Sequence, residues 1–468
     1  QIADGVLLPR WVSEMMLGHG YPLFNFYGPG SYYLTELLHI VGLNFYHAFI
    51  GAFALAVIVA GLGMYAFAIE ILGREQRWAA LAAATAYMYG PYLLTNVYIR
   101  GALAEAMAQA LLPWILWSTH RLLRSEESIS LTALSRSQAS AWIIGIFTLA
   151  ALAITHTITL LFTPLVLISL AAVLVAATWR SPQTPVRVFW VLLGMLAAMG
   201  ISAFFWLPLL GERSSLADTA LEISKSVWLS SGVWTWQTFL DTGWAFSYSF
   251  ARPIKLGLVQ LGLAVAGFVL ARQRNTGWLY FGMLALVVSL LISAWALPLW
   301  LSSDILAVAQ FPWRLLSILS LPLALFAGYL AARPNQNSLR GLARLLASLV
   351  IITIIVLAHR PQLAWMDVYA PNGIDLTSPA LTQMEVDKGA LGGGEGNSSL
   401  QEFRPRWADR TLILDKRVEE MAQIDRVTPL RSSSTDLLLS VSAPTTATVR
   451  LTNFFFPGWQ ATLNSDTS

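Results

Sequence analysis

The chain has 468 residues, 56% of them hydrophobic and only 12% charged, with a mean hydropathy of +0.60. A soluble globular protein carries roughly 25% charged residues, so that class is excluded. The absence of cysteine excludes disulfides, zinc–thiolate sites, iron–sulfur clusters and thiol catalysis. The net charge of +3 comes from arginines gathered in short loops, a matter of membrane topology, and no nucleic-acid partner is expected.

Residues 1–45 precede the first long apolar run. They open with Asp4, Arg10, Glu14 and His19 and continue into GYPLFNFYGPGSYYL (20–34). This stretch is too apolar for an ordinary surface loop, and its prolines and glycines interrupt it. It is expected to be an interfacial or re-entrant element. In that reading Tyr21, Phe24, Phe26 and Tyr27 belt the headgroups, and Pro22 and Pro29 stop helix growth. Asn25 and Tyr27 are candidate substrate contacts, although the same residues also suit a purely structural aromatic anchor.

A helix needs about 20 apolar residues to cross a bilayer core of roughly 30 Å. Segments of that kind are expected at 46–72, 78–95, 102–120, 139–154, 157–178, 187–210, 255–271, 278–297, 312–332 and 342–359. Alternate loops should be rich in arginine on the cytoplasmic side. One set holds Arg74, Arg77, Arg121, Arg124, Arg136, Arg180, Arg187, Arg272, Arg274, Arg333, Arg340 and Arg344. The opposite set holds only Arg100, Arg213, Lys225 and Arg252. About ten spans therefore place every arginine cluster on one side. Residues 1–45, the loop 211–254 and the tail 360–468 are expected outside the cytoplasm. A start on that side implies an upstream span, so the sequence reads as a piece of a longer product.

The tail is polar and contains GALGGGEGNSS (389–399). After it come DLLLSVSA (436–443) and ATVRLTNFFF (447–456), whose alternation predicts strands of a small β-domain. The fold class is thus an α-helical polytopic membrane protein with a small extracytoplasmic β-rich C-terminal domain.

Ionisable residues in or beside spans are costly and become functional candidates. Arg100 and Glu105 sit at the outer mouth of the third span. They form either a structural ion pair or a substrate clamp, for which arginine offers a planar fork to phosphate. His156, in ITHTIT, is either a proton carrier or a local hydrogen-bonding residue at a helix turn. Glu212 and Arg213 follow FFWLPLLGER (204–213) into the long outer loop. Gln310 and Arg314 open the ninth span, where Arg314 either snorkels outward or meets an anionic headgroup. Asp4 and Arg10 lie in the first outer loop, where a carboxylate serves as general base or holds a divalent cation at a phosphate. FFFPGWQATL (454–463) reads as a turn with an aromatic plug. No nucleotide-binding fingerprint, HExxH or GxSxG motif occurs.

PRW (9–11), GYPLFNFYGPGSYYL, RGALAEAMA (100–108), ITHTIT (154–159), FFWLPLLGER, QFPWRLL (310–316) and FFFPGW (454–459) occur in order over nearly the whole chain. In this combination the sequence resembles bacterial multi-pass membrane proteins of the 6-pyruvoyl-tetrahydropterin synthase-related family. That family resembles a branch of the GT-C glycosyltransferase clan. The resemblance implies a polyprenyl-phosphate-linked sugar donor entering from the bilayer, a carboxylate base in the first outer loop, and an inverting displacement on the outer face. The family's expected acidic residue lies upstream of Gln1; Asp4 is in the corresponding loop. The resemblance leaves Asp4, Glu105 and His156 as catalytic candidates. Arg10, Asn25, Tyr27, Arg100, Glu212, Arg213, Gln310 and Arg314 are the substrate-binding candidates. Expected partners are membrane lipids, the lipid-linked donor and other membrane subunits, and the expected location is the bacterial inner membrane. The alternative is a non-catalytic accessory subunit of a larger membrane assembly.

Overall fold

The computed structural model describes residues 2, 5–12, 15, 20–125, 127–240, 254–271, 274–332, 338–363, 403–408, 426–432, 436–442 and 455–462. They fall into two compact units. One comprises Gly28–Phe204 and Ser224–Val368; the other comprises Gln1–Tyr27, Phe205–Ile223 and Tyr369–Ser468.

The larger unit is helical. Its main elements are α1 (Gly30–Ile40), α2 (Phe45–Leu72), α3 (Arg77–Met88), α4 (Pro91–Tyr98), α5 (Leu103–Arg124), α6 (Arg136–Thr155), α7 (Thr157–Thr178), α8 (Thr184–Gly211, as far as Phe204), α9 (Leu258–Leu270), α10 (Thr276–Ile292), α11 (Leu316–Ala331) and α12 (Ser338–His359). Polar side chains set several starts. Asn44 accepts from the His47 N–H at α2, Asn275 accepts from the Trp278 N–H at α10, and Ser135 with Gln138 forms a capping box at α6.

Helix α11 forms the centre, with nearly every side chain from Leu316 to Ala331 buried. It packs on α3, α9, α10 and α12. Apolar side chains gain little from meeting each other in lipid, so close approach of small residues is what holds such helices together. At Gly267 an added Cβ would lie 1.9 Å from the Phe326 carbonyl oxygen, and at Gly328 it would lie 3.0 Å from that of Ala79. Helix α3 meets this centre with a run of buried alanines.

Among the described residues, six helices are long and apolar enough to cross a membrane: Phe45–Leu72, Arg136–Thr155, Thr157–Thr178, Thr184–Gly211, Pro312–Ala331 and Gly341–His359. Leu258–Leu270 and Thr276–Ile292 are apolar but shorter. The expected span 78–95 is two helices, α3 and α4, separated at Tyr89–Gly90, because Pro91 starts a helix more readily than it continues one. The expected span 102–120 is covered by one helix, α5, whose buried polar residues lower its mean hydropathy. Ten crossings are therefore more than these helices establish.

The stretch 20–34 also differs from expectation. Leu23–Phe26 forms a helical turn, and α1 begins at Gly30, directly after Pro29. Proline starts this helix because its missing N–H would have no intrahelical partner there.

In the smaller unit, Trp11, Phe26 and Phe456 form a buried aromatic cluster with Leu209, Leu216, Phe403 and Trp459 packed around it. Tyr21 is 2% exposed, and its hydroxyl accepts from the Phe403 N–H at 2.6 Å. Tyr21 and Phe26 thus do not belt headgroups; aromatic partners within the unit bury them. Val12 bridges Tyr21, and Leu216 bridges Pro405. Strands β1 (Arg426–Ser432) and β2 (Leu437–Ser442) pair antiparallel, with an irregularity between Pro429 and Arg431. The strand expected over 436–443 is present. Most of 447–456 lies outside the described residues.

Candidate functional site

The larger unit gathers several charged candidates around Glu105. Helix α4 ends at Tyr98, and Gly101 turns the chain with φ +59°. A side chain is disfavoured at such an angle. The turn returns the chain so that Glu105, in the first turn of α5, faces Arg100. An acidic residue is favourable at that end of a helix. The Arg100 Nη1 donates to Glu105 Oε2 at 2.6 Å, and Glu105 is 3% exposed. Tyr92 donates to the other oxygen, and Arg100 also donates to Asn96 Oδ1. The guanidinium lies 4.8 Å above the Trp313 ring, a contact worth roughly 0.5–2 kcal/mol. Arg314 and His156 are near enough to act electrostatically on the same carboxylate.

Arg314 Nη1 donates to the Ala309 carbonyl at 3.2 Å, and its Cζ lies 5.4 Å from the Phe311 ring centre. Its Nε is buried without a hydrogen-bond partner. Gln310, four residues before it, holds φ +65°, a conformation that costs an ordinary residue about 1–2 kcal/mol. Burial works against the Arg100 charge, but the Glu105 carboxylate outweighs it and holds the guanidinium above its ordinary value. Arg100, in the α4–α5 connection, therefore stays a cation.

His156 occupies the single-residue link between α6 and α7. Its Nδ1 accepts from the Thr159 N–H at 3.2 Å and lies 2.8 Å from Thr159 Oγ1, so the ring hydrogen is on Nε2. Burial pushes the imidazole from 6.5 down to about 4, against the pull of Glu105 and with the push of Arg314 and Arg100. His156 is neutral at pH 7. Below pH 6.5 the unfolded chain takes up a proton that the folded chain refuses until about pH 4. Stability is expected to fall over that range as pH drops. His156→Asn keeps a capping acceptor and should flatten the fall in melting temperature measured in detergent; an unchanged slope would contradict the assignment.

The second half of the 20–34 stretch packs on this link. A Cβ at Gly28 would lie 2.5 Å from the Thr155 carbonyl oxygen, and one at Gly30 would lie 2.4 Å from Thr155 Oγ1. The GPG tripeptide (28–30) is thus a close-approach element against ITHTIT. Gly28→Ala should destabilise by about 1–3 kcal/mol, read as a lowered melting midpoint; a midpoint equal to wild type would refute the close approach.

The smaller unit has its own cavity, of 250 Å³, walled by Trp11, Phe456 and Trp459 and carrying Arg10, Asn25 and Glu212. Asn25 is 2% exposed, and its Nδ2 donates to Glu212 Oε2 at 2.6 Å, leaving Asn25 Oδ1 buried without a partner. Trp11 and Trp459 meet edge to face at 6.0 Å. Gly458, at φ +108°, makes the turn that the Pro457–Gly458 pair predicts. An aromatic wall beside an amide, a carboxylate and a guanidinium suits a polyhydroxylated ligand, which stacks on rings and exchanges hydrogen bonds with the polar edge.

Arg10, Asn25 and Glu212 therefore come together in one unit, and Arg100, Glu105, His156 and Arg314 in the other. Gln310 adjoins the second group through Arg314. Arg213 is exposed, and neither it nor Tyr27 lines the 250 Å³ cavity. Asp4 lies outside the described residues. Among the described residues no group of three His, Asp or Glu side chains is arranged to hold a metal ion. Sequence reasoning did not single out Tyr92, Asn96 and Trp313. A buried asparagine in an otherwise apolar run was the available signal.

A family model described as "6-pyruvoyl-tetrahydropterin synthase related domain; membrane protein" matches residues 24–366. The chain belongs to that family. An uncharacterized protein of Lactococcus lactis subsp. cremoris is 21% identical over 321 residues, which is 67% of this chain and 48% of the relative. The chain thus spans about half the length of the curated relative it matches. Among solved structures, the Archaeoglobus fulgidus oligosaccharyltransferase in its apo form is similar at 13% identity and a TM-score of 0.45, over 86% of this chain and 55% of that one. The same values hold for the Archaeoglobus fulgidus AglB oligosaccharyltransferase in complex with an inhibitory peptide and a dolichol-phosphate.

Proposed function

We propose that this family member is a GT-C-like glycosyltransferase that takes a polyprenyl-phosphate-linked sugar at the outer face of the bacterial inner membrane. The charge imbalance around Glu105 carries this reading. Among the described residues, two guanidinium groups, Arg100 and Arg314, are balanced there by one carboxylate, and Arg314 keeps an unused buried donor. An uncompensated cation in such a setting is costly, and a phosphate oxygen is its natural complement.

Glu105, with both oxygens engaged, serves as the counter-charge that fixes Arg100. Arg314 receives the donor phosphate, aided by the strained Gln310. The acceptor oxygen attacks the anomeric carbon, the bond to the phosphate oxygen breaks, and the phosphate leaves with the negative charge. The acceptor proton passes to a carboxylate base, the role for which Asp4 is the sequence candidate. Arg10, Asn25 and Glu212, with Trp11 and Trp459, give the smaller unit a cavity whose polar edge and aromatic wall suit a sugar. The extracytoplasmic placement of 1–45, 211–254 and 360–468 rests on the asymmetry of arginines between loops.

A second reading, a non-catalytic subunit of a larger membrane assembly, is favoured by the full engagement of both Glu105 oxygens. The two separate in one assay. Purified full-length protein is given a polyprenyl-phosphate donor carrying labelled sugar, alongside its Arg314→Ala variant. Turnover by wild type that is lost in the variant supports the transferase. If wild type shows no turnover and co-purifies with other membrane subunits at fixed stoichiometry, the transferase reading fails.

A further inference from the structure

The opposite, arginine-rich end of the larger unit holds a cavity that the transferase reading does not use. It has a volume of 130 Å³ and lies among the ends of α2, α5 and α7 and the start of α10. Four features give it a chemistry. First, Thr276 and Gly277 line it at the N-terminus of the 17-residue helix α10. Their N–H groups have no intrahelical acceptor, and the partial positive charge of a helix start favours an anion. Second, Arg124 lines it and makes no ion pair among the described residues. Third, His120 lines it, with Nδ1 buried and without a hydrogen-bond partner. Fourth, the one carboxylate among the described lining residues, Glu70, is already neutralised by Arg121, whose Nη1 lies 3.2 Å and 3.1 Å from its two oxygens. Arg187 adds further positive charge near Arg124.

We infer that this cavity binds a phosphate group, carried by an anionic lipid headgroup or free in solution. Arg124 supplies the charge at the mouth. The Thr276 and Gly277 N–H groups donate to the phosphate oxygens inside. Basic pockets between helices at the positively charged face of a membrane protein suit such headgroups, and the arginine bias assigns this end to the cytoplasmic side. The site is independent of the donor site at Arg314.

Thr276→Pro tests the backbone donors selectively. Proline at the first helical position keeps the helix and deletes one N–H, and Asn275 before it is already extended, at φ −103° and ψ −179°. Purified protein is placed in nanodiscs of phosphatidylcholine with or without phosphatidylglycerol, and retained lipid is counted by native mass spectrometry. Inorganic phosphate is titrated separately by calorimetry. Wild type should retain phosphatidylglycerol. Arg124→Gln should weaken retention by roughly tenfold and Thr276→Pro by several-fold, while Arg180→Gln, an exposed arginine away from the cavity, should leave it unchanged. If inorganic phosphate binds with the same dependence on Arg124 and Thr276 and the lipid does not, the source is free phosphate and the site stands. Equal binding of both ligands by wild type and by the Arg124 and Thr276 variants, at unchanged melting temperature, would overturn the proposal. So would an absence of binding by wild type.

Discussion

Replacing Glu105 with alanine is expected to cost about 3–5 kcal/mol of stability, the usual penalty for removing one partner of a buried ion pair. The variant strands the Arg100 guanidinium, 19% exposed, beside the Trp313 ring, and the Tyr92 hydroxyl loses its acceptor. Glu105→Gln keeps an acceptor for Tyr92 but not the charge, so its loss should be smaller. The double variant Glu105→Ala with Arg100→Leu removes the stranded charge and should recover part of the difference. Denaturation of the purified proteins in detergent, followed by tryptophan fluorescence, measures all three. A single Glu105→Ala variant within about 0.5 kcal/mol of wild type, the range of a neutral surface change, would mean that the pair does not hold α4 to α5.

The second large effect concerns chemistry. Arg314→Ala should lower sugar transfer by about 10²–10³-fold, the range seen when one donor to a developing negative charge is lost. The melting midpoint should move little, because Nε has no hydrogen bond to lose and Nη1 has one, to a carbonyl. Arg314→Lys restores the charge without the planar fork and should recover only part of the rate. The loss should fall mainly on kcat if the charge on the leaving phosphate grows in the transition state, and on KM if Arg314 only holds the donor.

The membrane class was legible in composition, and the helical regions were legible in the apolar runs. The count of crossings was not, for two physical reasons. A glycine–proline step at 90–91 divides one apolar run into α3 and α4. Helix α5 buries Glu105, Gln109, Ser118 and Thr119, so it need not be uniformly apolar to sit inside the bundle. The Arg100–Glu105 pair was visible because charges stand out in an apolar stretch, at a spacing that one turn can close. Its supports, Tyr92 and Trp313, gave no signal, since an aromatic ring beneath a cation has no sequence period. The aromatic stretch at 20–34 misled for a related reason. Composition alone does not separate rings that face headgroups from rings that face each other, and Tyr21 and Phe26 are buried against Phe403 and Phe456. The joining of Trp11 with Trp459 links residues far apart in the chain, beyond any local pattern.

The central claim is that Arg314 receives a lipid-borne phosphate. Equilibrium binding of polyprenyl phosphate without a sugar, to purified protein in phosphatidylcholine nanodiscs, tests it most directly. The account predicts saturable binding that weakens by about tenfold or more in Arg314→Ala and stays unchanged in Arg180→Gln. Binding that is absent in wild type, or equal in wild type and Arg314→Ala, would contradict it.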